Sequence, residues 1–246
     1  MCGGVFLFKF KKPNQHGVWS MIILPIAFGI AVSGFTFLHI LLYLGVLAAY
    51  FMSDQVFFYL KKRKKEIGYI YTASLFGIIV LISFIPIVLY KFETFWIFLL
   101  MIPLSLINAF FAKKKNERAF TNDLIAVIIF CLFGVISVLL NTALSNINAW
   151  LPVFILSFMY FFGTILYVKT MIREKKSIKY KWSSWIYHLC IVVIGLLVNP
   201  LIMIMYLPSL IRAIVLYGKK IKIMHVGLIE IANSIFVLII GSIYLH

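Results

Sequence analysis

Residues 11–25 read KKPNQHGVWSMIILP. Two lysines and then Asn14, Gln15, His16 and Trp19 stand directly before a run that is almost wholly apolar. A lysine ammonium stays in water, while an indole settles at the border between water and hydrocarbon. The stretch therefore reads as the entrance to a membrane span. A short arm, 1–15, lies on its aqueous side.

Outward from this point the pattern repeats. Apolar runs are expected at 16–32, 37–60, 68–90, 95–112, 120–140, 150–168, 182–198, 201–217 and 226–245. Each approaches the roughly 20 residues needed to cross a bilayer core of about 30 Å. Pro25, Gly29 and Pro208 fall inside runs, which membrane helices tolerate when neighbours satisfy the freed backbone groups. Ser33-Gly34 and Asn199-Pro200 read as turns, and 169–181 reads as a long basic loop. The expected fold is all-α: one integral membrane domain over 1–246, a polytopic transmembrane helical bundle of about nine spans.

Composition agrees. The chain has 246 residues, 64% hydrophobic and only 12% charged, with a mean hydropathy of +1.08. A water-soluble domain lacks the polar residues to cover that much apolar surface, so lipid must cover it. The net charge of +16 is split into short clusters between apolar runs, which is the mark of the positive-inside rule and not of a nucleic-acid footprint. With the N-terminus in the cytoplasm, the arm and the loops after every second run, taken with nearby Arg212, hold all of the 23 Lys and Arg residues except Lys91. The expectation is a multi-pass protein of the bacterial inner (cytoplasmic) membrane, N-terminus cytoplasmic and C-terminus outside, with membrane lipids as its first partners and no nucleic acid among them. Protein partners are unknown at this level.

Cys2, Cys131 and Cys190 form no spaced pair, so neither a zinc site nor a disulfide framework is expected. Cys2, in MCGG, is a candidate for lipid attachment. No small-residue cleavage pattern follows the first apolar run, which reads as a retained span.

An ionisable side chain at the centre of a span costs about 2.5–3.5 kcal/mol on insertion scales, so such groups point to function. Of the acidic residues, only Glu93 lies away from the expected cytoplasmic side. Asp54, in Ser53-Asp54-Gln55, sits about two turns inside its span and needs a cation, a proton or a metal; Arg212 is a candidate partner, and a structural ion pair is the plainer account. Asn116-Glu117-Arg118 and Asn122-Asp123 flank the start of the fifth run, where Asp123 would complement the helix dipole and Thr121 would cap it. Arg173-Glu174 falls in a basic loop, where a solvated charge run is the plainer account. Arg212 follows Pro208 on a distorted helix and has the planar fork that suits phosphate or carboxylate. Glu230 and Asn233 would complete a polar pocket. His16 is either an acid-base group or an interfacial anchor beside Trp19. His39, His188 and His225 follow no metal-ligand pattern.

Taken together, Pro13 to Ser20 with Pro25, then Asn116-Glu117-Arg118, Asn122-Asp123, Arg173-Glu174, Pro208 to Arg212 and Glu230, resemble the landmarks of the YwiC-like bacterial membrane proteins, in order and over nearly the whole chain. The layout is also similar to the UbiA-type intramembrane prenyltransferases. That resemblance implies nine helices, a cytoplasm-facing pocket open to lipid, and isoprenyl diphosphate bound through magnesium on two aspartate-rich motifs. Asp54 and the Arg173-Glu174 loop stand at the matching places, yet neither repeats the aspartates. A single carboxylate makes a poor cage for magnesium.

Two function classes remain open. One is a UbiA-like enzyme on an isoprenoid or other lipid-like substrate with an anionic head, with His16 and Asp54 as catalytic groups. Its substrate-binding set would be Asn14, Gln15, Trp19, Asn116, Glu117, Arg118, Asn122, Asp123, Arg173, Arg212, Glu230 and Asn233, and magnesium its cofactor if any. The other is a lipid or quinone carrier, an accessory membrane protein or a small-molecule transporter.

Overall fold

The computed structural model describes residues 8–10, 17–62 and 66–246. Among these residues there are nine α-helices and no strands: α1 (Val18–Ser33), α2 (Phe37–Lys61), α3 (Gly68–Tyr90), α4 (Glu93–Lys113), α5 (Phe120–Leu139), α6 (Ile147–Val168), α7 (Ile178–Val198), α8 (Pro200–Val215) and α9 (Ile223–Leu245). The all-helical polytopic expectation holds. Seven of the described helices are long and apolar enough to cross a bilayer; α1 and α8 are apolar but shorter. Leu89 and Leu197 are each 80% exposed, which only a hydrocarbon surround makes cheap.

Local chemistry explains most boundaries. At the start of α2 the Thr36 N–H donates to His39 Nδ1 at 2.9 Å, which satisfies an otherwise orphaned donor. Asn199 Oδ1 accepts from the Leu201 N–H at 2.8 Å and Pro200 opens α8, where its missing N–H costs nothing. Gly34 has φ +83°, and Asn141 Nδ2 donates to the Ser33 and Gly34 carbonyls at 3.0 and 2.9 Å. Two expectations are corrected. Thr121 lies within the first turn of α5, which begins at Phe120, so it is not the cap. The expected basic loop at 169–181 is mostly helical. Lys169–Arg173 continues α6 as a π-helical turn, held by Glu174 N–H to Lys169 O at 2.7 Å, and α7 starts at Ile178.

The chain divides into two compact units. The first comprises the described residues of 8–10 and 36–129. Its main contact is α2 against α3. Gly45 permits it, because a Cβ there would come within 2.9 Å of the Ser83 side chain. Phe10, Phe51 and Phe76 pack ring to ring. Outside the spans, Glu66 bridges Lys9 at 2.9 Å and Lys62 at 2.7 Å.

The second unit comprises 17–35 and 130–246 of the described residues. Here α1 packs on α9 and α6, α7 on α8, and α8 on α9. Phe28, Ile26, Phe161, Tyr167 and Met205 are fully or almost fully buried. The α1 backbone meets the second half of α5 closely: Ser137 Oγ donates to Ile26 O at 2.8 Å, and a Cβ added at Gly134 would lie 2.8 Å from Pro25 O. Helices in lipid gain little from hydrophobicity, so they associate through such small-residue approaches and polar bonds. Ser20 and Ser234 share a hydrogen bond of 2.8 Å between α1 and α9.

Candidate functional site

A cluster of buried polar side chains gathers where the end of α6, the last turn of α8 and the early part of α9 meet, within the second unit. Arg212 and Glu230 are each 5% exposed. Arg212 Nη1 donates to Glu230 Oε1, and Nη2 donates to Thr164 Oγ1 at 3.2 Å. Asn233, one turn after Glu230, donates from Nδ2 to Tyr160 OH at 3.2 Å and to Ser209 Oγ at 2.9 Å. The Tyr167 ring lies 4.6 Å from the guanidinium carbon, close enough for a cation–π contact, with the Tyr160 ring at 6.0 Å.

The bonds are incomplete. Arg212 Nε, Glu230 Oε2, Asn233 Oδ1 and Tyr167 OH are buried and make no hydrogen bond. Each such atom costs roughly 1–3 kcal/mol. One donor, two acceptors and a hydroxyl are thus held ready around one ion pair. On the side toward the helix ends the cluster is covered by Tyr167, Met171, Ala213 and Val226, with Ile172, Leu216 and Ile221 against them. The π turn supplies Met171 and Ile172 to that cover. Beyond it, Arg173, Lys175, Lys176, Lys179, Lys219, Lys220 and Lys222 are exposed, a field that draws anions.

On the other side lies an apolar groove of about 300 Å³. Ile147, Pro152, Ile155, Ile194, Gly195 and Val198 line it, and it reaches Met159 and Tyr206. Met159 precedes Tyr160 in the chain, and Tyr206 is one turn before Ser209. Tyr206 OH is tied to Leu156 O at 2.8 Å. In α7, His188 Nδ1 donates to Ser184 O at 2.7 Å. That leaves the buried Nε2 without a partner, facing Gly163, where a Cβ would come within 2.9 Å.

Of the residues expected from sequence, Arg212, Glu230 and Asn233 are brought together. Arg212 pairs with Glu230 in the second unit, and the charged groups acting on Asp54 within the first unit are Lys61 and Glu117. Glu117 bridges Lys61 at 2.6 Å, and Asn122 Nδ2 donates to Glu117 O at 2.8 Å. Tyr50, one turn from Asp54, interacts with it electrostatically, though its hydroxyl makes no bond of good geometry. These residues all belong to the first unit, as do Asn116, Arg118 and Asp123. Trp19 is half-exposed and lines an apolar hollow of about 220 Å³ with Ile231 and Leu238. Arg173 is the exposed last residue of the π turn. Asn14, Gln15, His16 and Cys2 lie outside the described residues.

Tyr160, Thr164 and Tyr167 were not anticipated, although their spacing of four and three residues puts them on one face of α6. Among the described residues there is no group of three or more His, Cys, Asp or Glu able to hold a metal. The residues present do not fit a magnesium–diphosphate cage.

Comparison with known proteins adds the following. The family model described as YwiC-like protein matches residues 13–138. The chain is 32% identical to the uncharacterized protein YwiC of Bacillus subtilis (strain 168), over 95% of this chain and 97% of that protein. It is also 32% identical to an uncharacterized protein of Haemophilus influenzae, over 91% of this chain and 94% of that one. No solved structure matches the chain.

Proposed function

This chain belongs to the YwiC-like protein family, and from that premise we propose that it binds a lipid-like molecule with an anionic head, the head at Arg212 and the tail along the groove of α6, α7 and α8. The observation that carries this reading is the buried Arg212–Glu230 pair with its unmet hydrogen-bonding atoms. A bundle built only for stability would fill such a place with apolar side chains, because a buried ion pair seldom stabilises more than they do. Arginine recognises phosphate and carboxylate, and the exposed basic residues around the helix ends raise the local concentration of anions. The groove supplies the apolar partner, since lipid and cofactor sites are mostly apolar with a few placed polar groups. In this reading the site faces the cytoplasm, the N-terminus is cytoplasmic and the C-terminus is outside, as the lysine distribution supports.

The test is thermal stability of the detergent-purified protein against prenyl diphosphates, quinones and anionic phospholipids, with and without magnesium. A ligand that binds only the folded state stabilises by about 2.7 kcal/mol at one hundred times its dissociation constant. An anionic-headed lipid should raise stability, and Arg212→Ala should lose the effect. Equal shifts in both proteins would contradict the reading. Mass spectrometry of the recovered ligand separates a binding protein, which returns it unchanged, from an enzyme of the UbiA type, which alters it.

A further inference from the structure

We infer that the Arg212 site takes a head bearing a single negative charge, and that Glu230 takes up one proton from water as this head binds. The inference rests on the headgroup reading above and deepens it. Arg212 already has its counter-charge in Glu230. An anion entering beside them would leave one uncompensated negative charge in an apolar interior, and that cost is large. Nothing nearby removes it. The other titratable groups acting on the pair are Tyr160 and Tyr167 from α6 and His188 from α7. From α8 come Arg212 itself and Tyr206, whose hydroxyl is spent on Leu156 O. Helix α1, which packs on α9, carries no titratable side chain. The cheapest balance is a proton on Glu230 Oε2, the carboxylate oxygen with no partner.

The proton also supplies a bond. Neutral Glu230 donates from Oε2 to the anionic oxygen, while Arg212 Nε, the guanidinium nitrogen without a partner, donates from the other side. Both orphaned atoms are satisfied by one ligand, and the guanidinium stays charged. One arginine matches one negative charge, so phosphodiester or carboxylate heads fit and a diphosphate, with its additional charges, does not.

The experiment is calorimetric titration of the purified full chain with dioctanoyl phosphatidylglycerol at pH 7.5, in two buffers of different ionisation enthalpy. The head keeps its charge at that pH, so any proton drawn from the buffer is taken up by the protein. The expected result is uptake of about one proton per lipid bound, none with Glu230→Gln, and weaker binding of farnesyl diphosphate. Binding of phosphatidylglycerol without proton uptake overturns this inference and leaves the headgroup reading standing. Failure of every anionic-headed lipid to bind overturns that reading. If Glu230→Gln does not fold, the count on His188→Gln decides: uptake kept there supports the proton on Glu230, and uptake lost there places it on His188 and overturns the inference.

Discussion

At the scale of single residues, the pair Arg212–Glu230 dominates. Arg212→Ala or Glu230→Ala leaves a buried charge without its partner and should cost about 3–5 kcal/mol. The double change Arg212→Met with Glu230→Leu should cost clearly less than the sum, because the two residues share one interaction. Thermal unfolding in detergent measures both. These residues were legible in the sequence because an ionisable group inside an apolar run is expensive and stands out. Tyr160, Thr164 and Tyr167 were not, because such residues are ordinary at span ends, and only their common helix face marks them. Glu66 offers a second test, in water. Its hydrogen bonds from Lys62 and Lys9 hold its carboxyl down at about 2, against an ordinary glutamate near 4.3. A depressed acid stabilises above its unfolded value and loses that contribution as pH falls through its folded one. The stability difference between parent and Glu66→Gln should therefore be full above about pH 5 and vanish toward pH 2. It should also shrink in high salt, since the pairs face solvent.

At the scale of elements, periodicity and turn residues located every described helix, and α3 agreed at both ends. The miss was the segment after α6. Its lysines and arginine looked like a solvated loop, yet Lys169, Thr170 and Met171 are buried. A long side chain can bury its stem and still bring its charge to the surface, so charge alone did not mark the helix end. The close approach of α1 to α5 was legible only as a glycine in an apolar run; the structure shows its reason. Gly134→Val would drive methyl groups into the Pro25 backbone. It should cost about 1–3 kcal/mol by overpacking, read as a lowered melting temperature with the Arg212–Glu230 pair unaltered.

At the scale of the whole molecule, charge decides orientation. Helices α1 and α8 have 16 residues each, about 24 Å at 1.5 Å per residue, short of a core of about 30 Å. Short spans are accommodated by local thinning and snorkelling at modest cost. If either failed to cross, basic loops would fall on both sides of the membrane, against the positive-inside pattern. Alkaline phosphatase fused after His246 should therefore be active in bacterial cells, and a green fluorescent protein there should be dark. The opposite pair of results would contradict the proposed topology. The sequence showed this alternation plainly, because it depends on charge sign and spacing alone. The candidate site was less visible, because it depends on which helix faces meet.

The most direct measurement is native mass spectrometry of the protein released from its own membrane in mild detergent, beside Arg212→Gln prepared identically. The account predicts an anionic-headed lipid retained on the parent chain and lost from Arg212→Gln, while loosely held neutral and zwitterionic lipids are the same on both. Identical retention of the anionic lipid by the two proteins, or its absence from both, would contradict it.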